Sequence, residues 1–273
     1  MARRTRHVLA LLPAAALALT ALAGCATSTN SGSGTSSDGG VKLVKEGKLI
    51  TCTHLSYKPF QYSEGDKTVG FDVDLVDLVA KKLGAQQEIL DTAFEGIQNG
   101  QSLNVGDCDV AAAAMTITDV RKQAIDFSDS YFDAEQALLV KKGTGYKDLA
   151  ALKGKKLGVQ QSTTGEEYAN KNKDQFGYEV IQFEDLTLQE TAVRTGQIDA
   201  AINDNGPLYD YAKEFPDTEV TTEFPTGDKY GIGVKKGNKP LLDTVNQVLK
   251  DAKSSGEYDK IYEKWFGKKP AAK

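Results

Sequence analysis

The sequence predicts an α/β fold with largely parallel sheets. Short β-rich runs alternate with longer amphipathic helical patterns, and a second series of such units follows the first. From Val41 onward about 230 residues remain, which suits one large or two medium domains. With 40% hydrophobic and 26% charged residues over the whole chain, these residues can build a substantial core.

In chain order, residues 1–24 read as a targeting segment. Arg3, Arg4 and Arg6 form a cationic start, Val8 to Leu22 is apolar, and Leu22-Ala23-Gly24-Cys25 closes the segment. The pattern resembles a bacterial lipoprotein signal, which implies cleavage before Cys25 and a lipid on that cysteine. The alternative is a membrane-spanning anchor, but the apolar stretch is shorter than the ~20 residues a span needs. Residues 26–40, rich in Ser, Thr, Gly and Ala, bury too little apolar surface to offset ordering and, with Cys25, read as a flexible tether. Without the three signal arginines, 30 basic residues face 38 acidic ones, a charge of −8 that argues against nucleic acid as a partner.

Lipidation of Cys25 leaves Cys52 and Cys108, each in a segment read as a strand, Leu49 to His54 and Cys108 to Ala114. Outside the cell two such cysteines often pair, so a disulfide between neighbouring strands is expected; buried thiols are the alternative. One histidine remains after processing, which supports no metal site, and no cofactor is expected.

The helix from Phe71 to Leu83 is the clearest element. Phe71, Leu75, Val79 and Leu83 recur every four residues, Asp72 and Asp74 suit the positive N-terminal end, and Gly84 ends it. Lys156 to Gln160, Val180 to Phe183 and Ile198 to Asn203 read as strands, and Leu186 to Thr195 as a helix. A second amphipathic helix runs through Leu241, Val245, Val248, Leu249 and Ala252. Tyr258, Ile261, Tyr262, Trp265 and Phe266 follow at helical spacing and read as packing, with a ligand or membrane surface as the alternative.

Parallel α/β sheets open their crevice beyond the C-terminal ends of the strands. His54 with Tyr57-Lys58-Pro59-Phe60, Thr116 to Arg121, Gln161 to Gly165, and Asn203-Asp204 all occupy such positions. A zwitterion needs an anion for its ammonium, a cation for its carboxylate and donors for the remaining lone pairs. Asp204, Arg121, Thr116 and the backbone at Gly165 supply those chemistries. By spacing alone the set is weak, because a chain this charged places Asp and Arg after many strands. A helix N-cap before Gly206-Pro207 is the competing role for Asp204, and a surface ion pair with Asp119 for Arg121.

Longer motifs add weight. Gly70-Phe71-Asp72-Val73-Asp74-Leu75, Thr116-Ile117-Thr118-Asp119-Val120-Arg121-Lys122 and Ile125-Asp126-Phe127-Ser128-Asp129-Ser130-Tyr131 together resemble the family 3 extracellular solute-binding proteins of polar amino-acid ABC importers. The resemblance continues through Leu152 to Val159 and Tyr258 to Phe266. It implies a two-lobed type II periplasmic-binding-protein fold, with two mainly parallel sheets joined by a two-segment hinge. Lobe 1 is expected at 41–130 plus 233–273, lobe 2 at 136–228, and the hinge at 131–135 and 229–232.

Carried over by motif, the family's α-carboxylate clamp falls on Arg121, with Thr116 and the Gly165 N–H as further donors. The ammonium partner falls on Asp204, a backbone carbonyl near Ala114 assists it, and Tyr57 and Phe94 sandwich the ligand. The ligand side chain is expected at His54, Gln161 and Asn203, none of which carries a fixed charge. Relatives that bind basic amino acids commonly have an acid at the His54 position, and glutamine binders often have an acid there with a lysine at the Gln161 position; this sequence departs from both. A buried charged side chain without a countercharge costs several kcal/mol, so glutamine, asparagine or histidine comes first, with glutamate admitted if His54 is protonated. His54 merely bonding the strand end is the plainer role.

The implied partners are a polar amino acid, an ABC permease and, through the lipid anchor, the cell membrane, and the protein is expected to be an extracytoplasmic monomer. An enzyme is the competing class, since a few proteins of this architecture are dehydratases. The sequence has no Gly-x-Ser-x-Gly elbow, placed Cys/His pair, metal cluster or Walker loop. A ligand-sensing domain for a membrane receptor is the third class.

Overall fold

The computed structural model describes residues 40–270. The expected signal segment, Cys25 and the tether up to residue 39 lie outside the described residues. The chain forms β1 (Lys48–Thr53), β2 (Tyr62–Glu64), β3 (Lys67–Val69), α1 (Phe71–Lys82), β4 (Gln86–Asp91), α2 (Phe94–Gln98), α3 (Gln101–Val105), β5 (Val110–Ala111), α4 (Arg121–Ala124) and β6 (Ile125–Phe127). The second series is β7 (Phe132–Lys141), β8 (Lys156–Gln160), α5 (Thr164–Phe176), β9 (Glu179–Phe183), α6 (Leu186–Thr195), β10 (Ala200–Asp204), α7 (Asn205–Glu214) and β11 (Thr218–Tyr230). β12 (Gly233–Lys235), α8 (Lys239–Ser255) and α9 (Glu257–Phe266) complete the chain.

Two five-stranded sheets result, in the orders β4-β1-β5-β12-β6 and β11-β7-β10-β8-β9. β1 is parallel to β4 and β5, and β8 is parallel to β9 and β10; β12 and β7 run against both of their neighbours. Each sheet is therefore mainly parallel with one reversed strand, the two-lobed architecture the motifs imply. The chain passes between sheets from Phe127 to Phe132 and returns from Tyr230 to Gly233.

Strand alternation explains why both faces of each sheet are covered. Leu138 and Val140 of β7 pack with Leu157, Val159, Ala200 and Ile202 on one side, while Ala137 and Leu139 face the other cluster. On β1, Leu49 points to one core and Ile50 and Cys52 to another. α1 buries Phe71, Leu75, Val76 and Val79 against α8 and α9; each such side chain contributes roughly 1.5–3 kcal/mol. The α9 aromatics pack inward: Phe266 meets Phe60, Phe71 and Phe132, and Trp265 meets Tyr62 edge-on.

Cys52 is bonded to Cys108, with Cα atoms 5.7 Å apart. Cys108 lies two residues ahead of β5, because the expected strand Cys108 to Ala114 is regular only at Val110–Ala111. Ala112 N–H still donates to the Cys52 carbonyl at 3.1 Å, and Ala114, at φ +47°, then breaks the extended run. Gly70 (φ +145°) starts α1 so close to Phe60 that a Cβ would lie 2.0 Å from its carbonyl oxygen, so only glycine fits. That contact presses α1 against the turn Tyr57 to Gln61, which carries part of the site.

Candidate functional site

The ends of β1, β5, β8 and β10 converge on one cavity. His54, Tyr57, Gln61, Phe94, Ala113, Ala114, Thr116, Arg121, Gln160, Thr163, Thr164 and Asp204 line it. The structure thus brings together seven of the residues the sequence singled out: His54, Tyr57, Phe94, Ala114, Thr116, Arg121 and Asp204.

Arg121 is 4% exposed, although it sits on the four-residue α4. Its Nη1 donates to the Thr116 carbonyl at 2.8 Å and its Nη2 to the Ser162 carbonyl at 3.0 Å, so one guanidinium touches both lobes. The guanidinium carbon lies 5.3 Å from the centre of the Phe94 ring. Asp119 pairs instead with Lys122 at 3.3 Å, so the surface ion pair is not Arg121's role. Burial lowers the Arg121 pKa, with Glu167, Asp204 and Asp228 opposing, and a guanidinium stays charged regardless.

Asp204 begins α7 in the N-cap position, yet its side chain makes no cap bond. Its carboxylate turns inward: Tyr57 Oη donates to Oδ2 at 3.0 Å, Tyr230 Oη donates to the same oxygen, and Gln136 Nε2 donates to Oδ1. Burial raises its pKa to about 6 against the opposing bonds from Tyr230, Tyr57 and Gln136, and the Asp228 charge adds to the rise. The single Tyr57 hydroxyl proton is shared between Asp204 Oδ2 and Asn203 Oδ1, the latter 2.7 Å away, so Tyr57 spans the cavity from the first lobe to the second.

His54 Nδ1 lies 3.1 Å from the Thr92 carbonyl, an acceptor only, which places the ring proton on Nδ1. Nε2 is then an acceptor, and it is buried without a partner. Gln61, 1% exposed, donates through Nε2 to the His54 carbonyl at 3.4 Å, and its Oε1 is likewise buried without a partner. Thr163 caps α5 by accepting from Glu166 N–H at 3.2 Å. Thr116 and Thr164 hydroxyls face each other at 3.4 Å.

Three expected residues do not line the cavity. Gln161 follows β8, and strand alternation gives the inward position to Gln160, which is 2% exposed. Asn203 is buried behind the wall, its Nδ2 donating to Gln160 Oε1 at 3.3 Å and Gln189 Oε1 at 3.0 Å. Gly165 is buried in the first turn of α5, where a Cβ would lie 2.7 Å from Gln136 Oε1, so its main chain alone is available there. Gln61, Ala113 and Gln160 line the cavity without having been singled out, and Thr163 and Thr164 line it from the run Gln161 to Gly165. The strand phase of β8 contains the signal for Gln160; nothing local marks Gln61.

The model of the bacterial extracellular solute-binding proteins, family 3, matches residues 49–268. The chain is 40% identical over 205 residues to the ABC transporter glutamine-binding protein GlnH of Bacillus subtilis (strain 168), covering 74% of each chain. An ancestral arginine-binding protein bound to arginine has a TM-score of 0.77 at 42% identity, covering 81% of this chain and 99% of that one. An ancestral arginine-binding protein bound to glutamine also has a TM-score of 0.77, at 41% identity, covering 82% and 100%. These relatives are binding proteins rather than enzymes.

Proposed function

Because the chain belongs to the bacterial extracellular solute-binding proteins, family 3, we propose that it captures a polar L-amino acid, glutamine first, and delivers it to an ABC permease. One observation carries the ligand reading. The cavity holds one buried cation, Arg121, one buried carboxylate, Asp204, and two acceptors without partners, His54 Nε2 and Gln61 Oε1. The single charges match the α-carboxylate and α-ammonium of an amino acid, which leaves no countercharge for its side chain. The free acceptors call for a neutral donor, and a primary amide offers two N–H groups. Each buried unpaired acceptor costs roughly 1–3 kcal/mol, which a matching ligand recovers.

In this reading Arg121, Thr116 and the Gly165 N–H hold the carboxylate. Asp204 and the Ala114 carbonyl hold the ammonium, Tyr57 and Phe94 enclose the ligand, and Gln160 meets its side chain. Glutamate ranks lower because its carboxylate faces two acceptors, unless His54 takes a proton and becomes a donor. Arginine ranks lower because among the described residues no second carboxylate lines the cavity. Ligand binds one open lobe and the other rotates over it about the segments 131–135 and 229–232. Lobe 1 then comprises 41–130 with 233–273, and lobe 2 comprises 136–228. A lipid on Cys25 tethers the extracytoplasmic monomer beside its permease.

Unfolding the purified protein and identifying the released small molecule by mass spectrometry tests the reading. Glutamine or another amide-bearing amino acid is the expected find. A molecule without an α-amino-acid group, or a product of turnover, contradicts it.

A further inference from the structure

α1 begins where two segments of the cavity wall meet. Phe71 N–H donates to the Pro59 carbonyl at 3.0 Å and Asp72 N–H to the Phe60 carbonyl at 3.0 Å, which fixes the turn bearing Tyr57 and Gln61. The Asp72 side chain reaches the other segment: Oδ2 accepts the Ala114 N–H at 2.7 Å. Ala114 lines the cavity at φ +47°, a left-handed conformation that an alanine rarely holds unaided. Among the described residues, no hydrogen bond ends on its carbonyl oxygen. Asp72 is 2% exposed, and among the described residues no opposite charge lies beside it. An acid at a helix start is ordinarily solvated, so its burial here calls for a role.

We infer that Asp72 is a positioning residue: its carboxylate locks the Ala114 peptide in the left-handed conformation that leaves the Ala114 carbonyl free for the ligand ammonium, and ties that peptide to the turn bearing Tyr57 and Gln61. The inference rests on the amino-acid-binding reading above. Asp72 touches no ligand itself and acts through a peptide 42 residues away. Burial holds its pKa at about 7, against the Ala114 N–H and the Tyr131 hydroxyl; the ionisable groups facing it are Tyr131 and, beyond that ring, Tyr258.

Two measurements separate this inference from the reading it rests on. The first needs no ligand: in ¹⁵N-labelled protein the Ala114 amide proton should lie far downfield at high pH and move upfield as pH falls through about 7. In Asp72→Asn it should stay still. An Ala114 amide that does not follow this titration in the wild-type protein overturns the inference, whatever the protein binds. The second is calorimetry with L-glutamine. Asp72→Ala is expected to bind at least about tenfold more weakly, while Asp72→Asn, which keeps the acceptor, stays within about threefold. Equal affinity of wild type and a folded Asp72→Ala overturns the inference. Should that variant fail to fold, the Ala114 titration decides alone.

Discussion

The two charged groups of the cavity are held in opposite ways. Arg121 makes two donations, both to main-chain carbonyls, so most of its five N–H groups stay free for a ligand. Asp204 already accepts from Tyr230 and Gln136 and shares the one Tyr57 proton with Asn203, so at least two of the roughly four lone-pair sites a carboxylate offers are taken. The cation is open to a ligand and the anion already partly occupied. Carboxylate recognition therefore rests on spare donors, whereas an ammonium takes a remaining site on Asp204 or displaces a tyrosine hydroxyl.

Removing the open side should cost most. Arg121→Ala is expected to weaken amino-acid binding by about 100-fold or more in calorimetry, and Arg121→Lys by about tenfold, since lysine loses the planar fork. Unchanged affinity would reduce Arg121 to a folding role.

The occupied side should reveal itself through pH. The free Asp204 titrates at about 6, and an ammonium beside it favours the ionised form, so binding expels a proton below that pH. Affinity should therefore be flat above about pH 7 and fall toward tenfold per unit as pH drops through 6, a trend absent in Asp204→Asn. Stability of the free protein runs the other way. A carboxyl whose folded pKa is raised contributes stability that is present below its unfolded pKa of about 3.9 and lost as pH rises through 6. An Asp204→Asn variant with the wild-type pH profile for binding would break the contrast.

Next in size is selectivity. Gln61→Glu places a second carboxylate among the neutral acceptors and should move the glutamine-to-arginine affinity ratio toward arginine by about tenfold. No shift would remove Gln61 from the side-chain subsite. Cys52→Ser with Cys108→Ser should have the smallest effect on affinity, within about threefold, while lowering stability by about 2–4 kcal/mol in urea denaturation. A large loss of affinity would show that the staple also shapes the Ala113-Ala114 wall.

Patterns of local origin were legible in the sequence. The period-four face of α1, the strand Lys156–Gln160 and the helix Leu186–Thr195 follow from side-chain periodicity, and the structure has them at or within a residue of the expected bounds. The charged pair Arg121 and Asp204 was legible through motifs. What holds Asp204 was not, because Gln136 and Tyr230 lie 68 and 26 residues away and meet it only through sheet pairing. Gln160 rather than Gln161 lines the cavity, since neighbouring strand positions face opposite ways. Asp72 read as a helix-end charge because nothing local tells that Ala114 lies against it.

One cation, one carboxylate and two free acceptors together select an α-amino acid ending in an amide. Calorimetry on protein unfolded and refolded to strip carried ligand, against all twenty amino acids, tests it most directly. Tight binding of L-glutamine, weaker binding of glutamate and arginine at pH 7.5, and none for apolar side chains are the expected results. A flat response from protein shown by circular dichroism to be refolded, or a preference for a charged or apolar side chain, would contradict it.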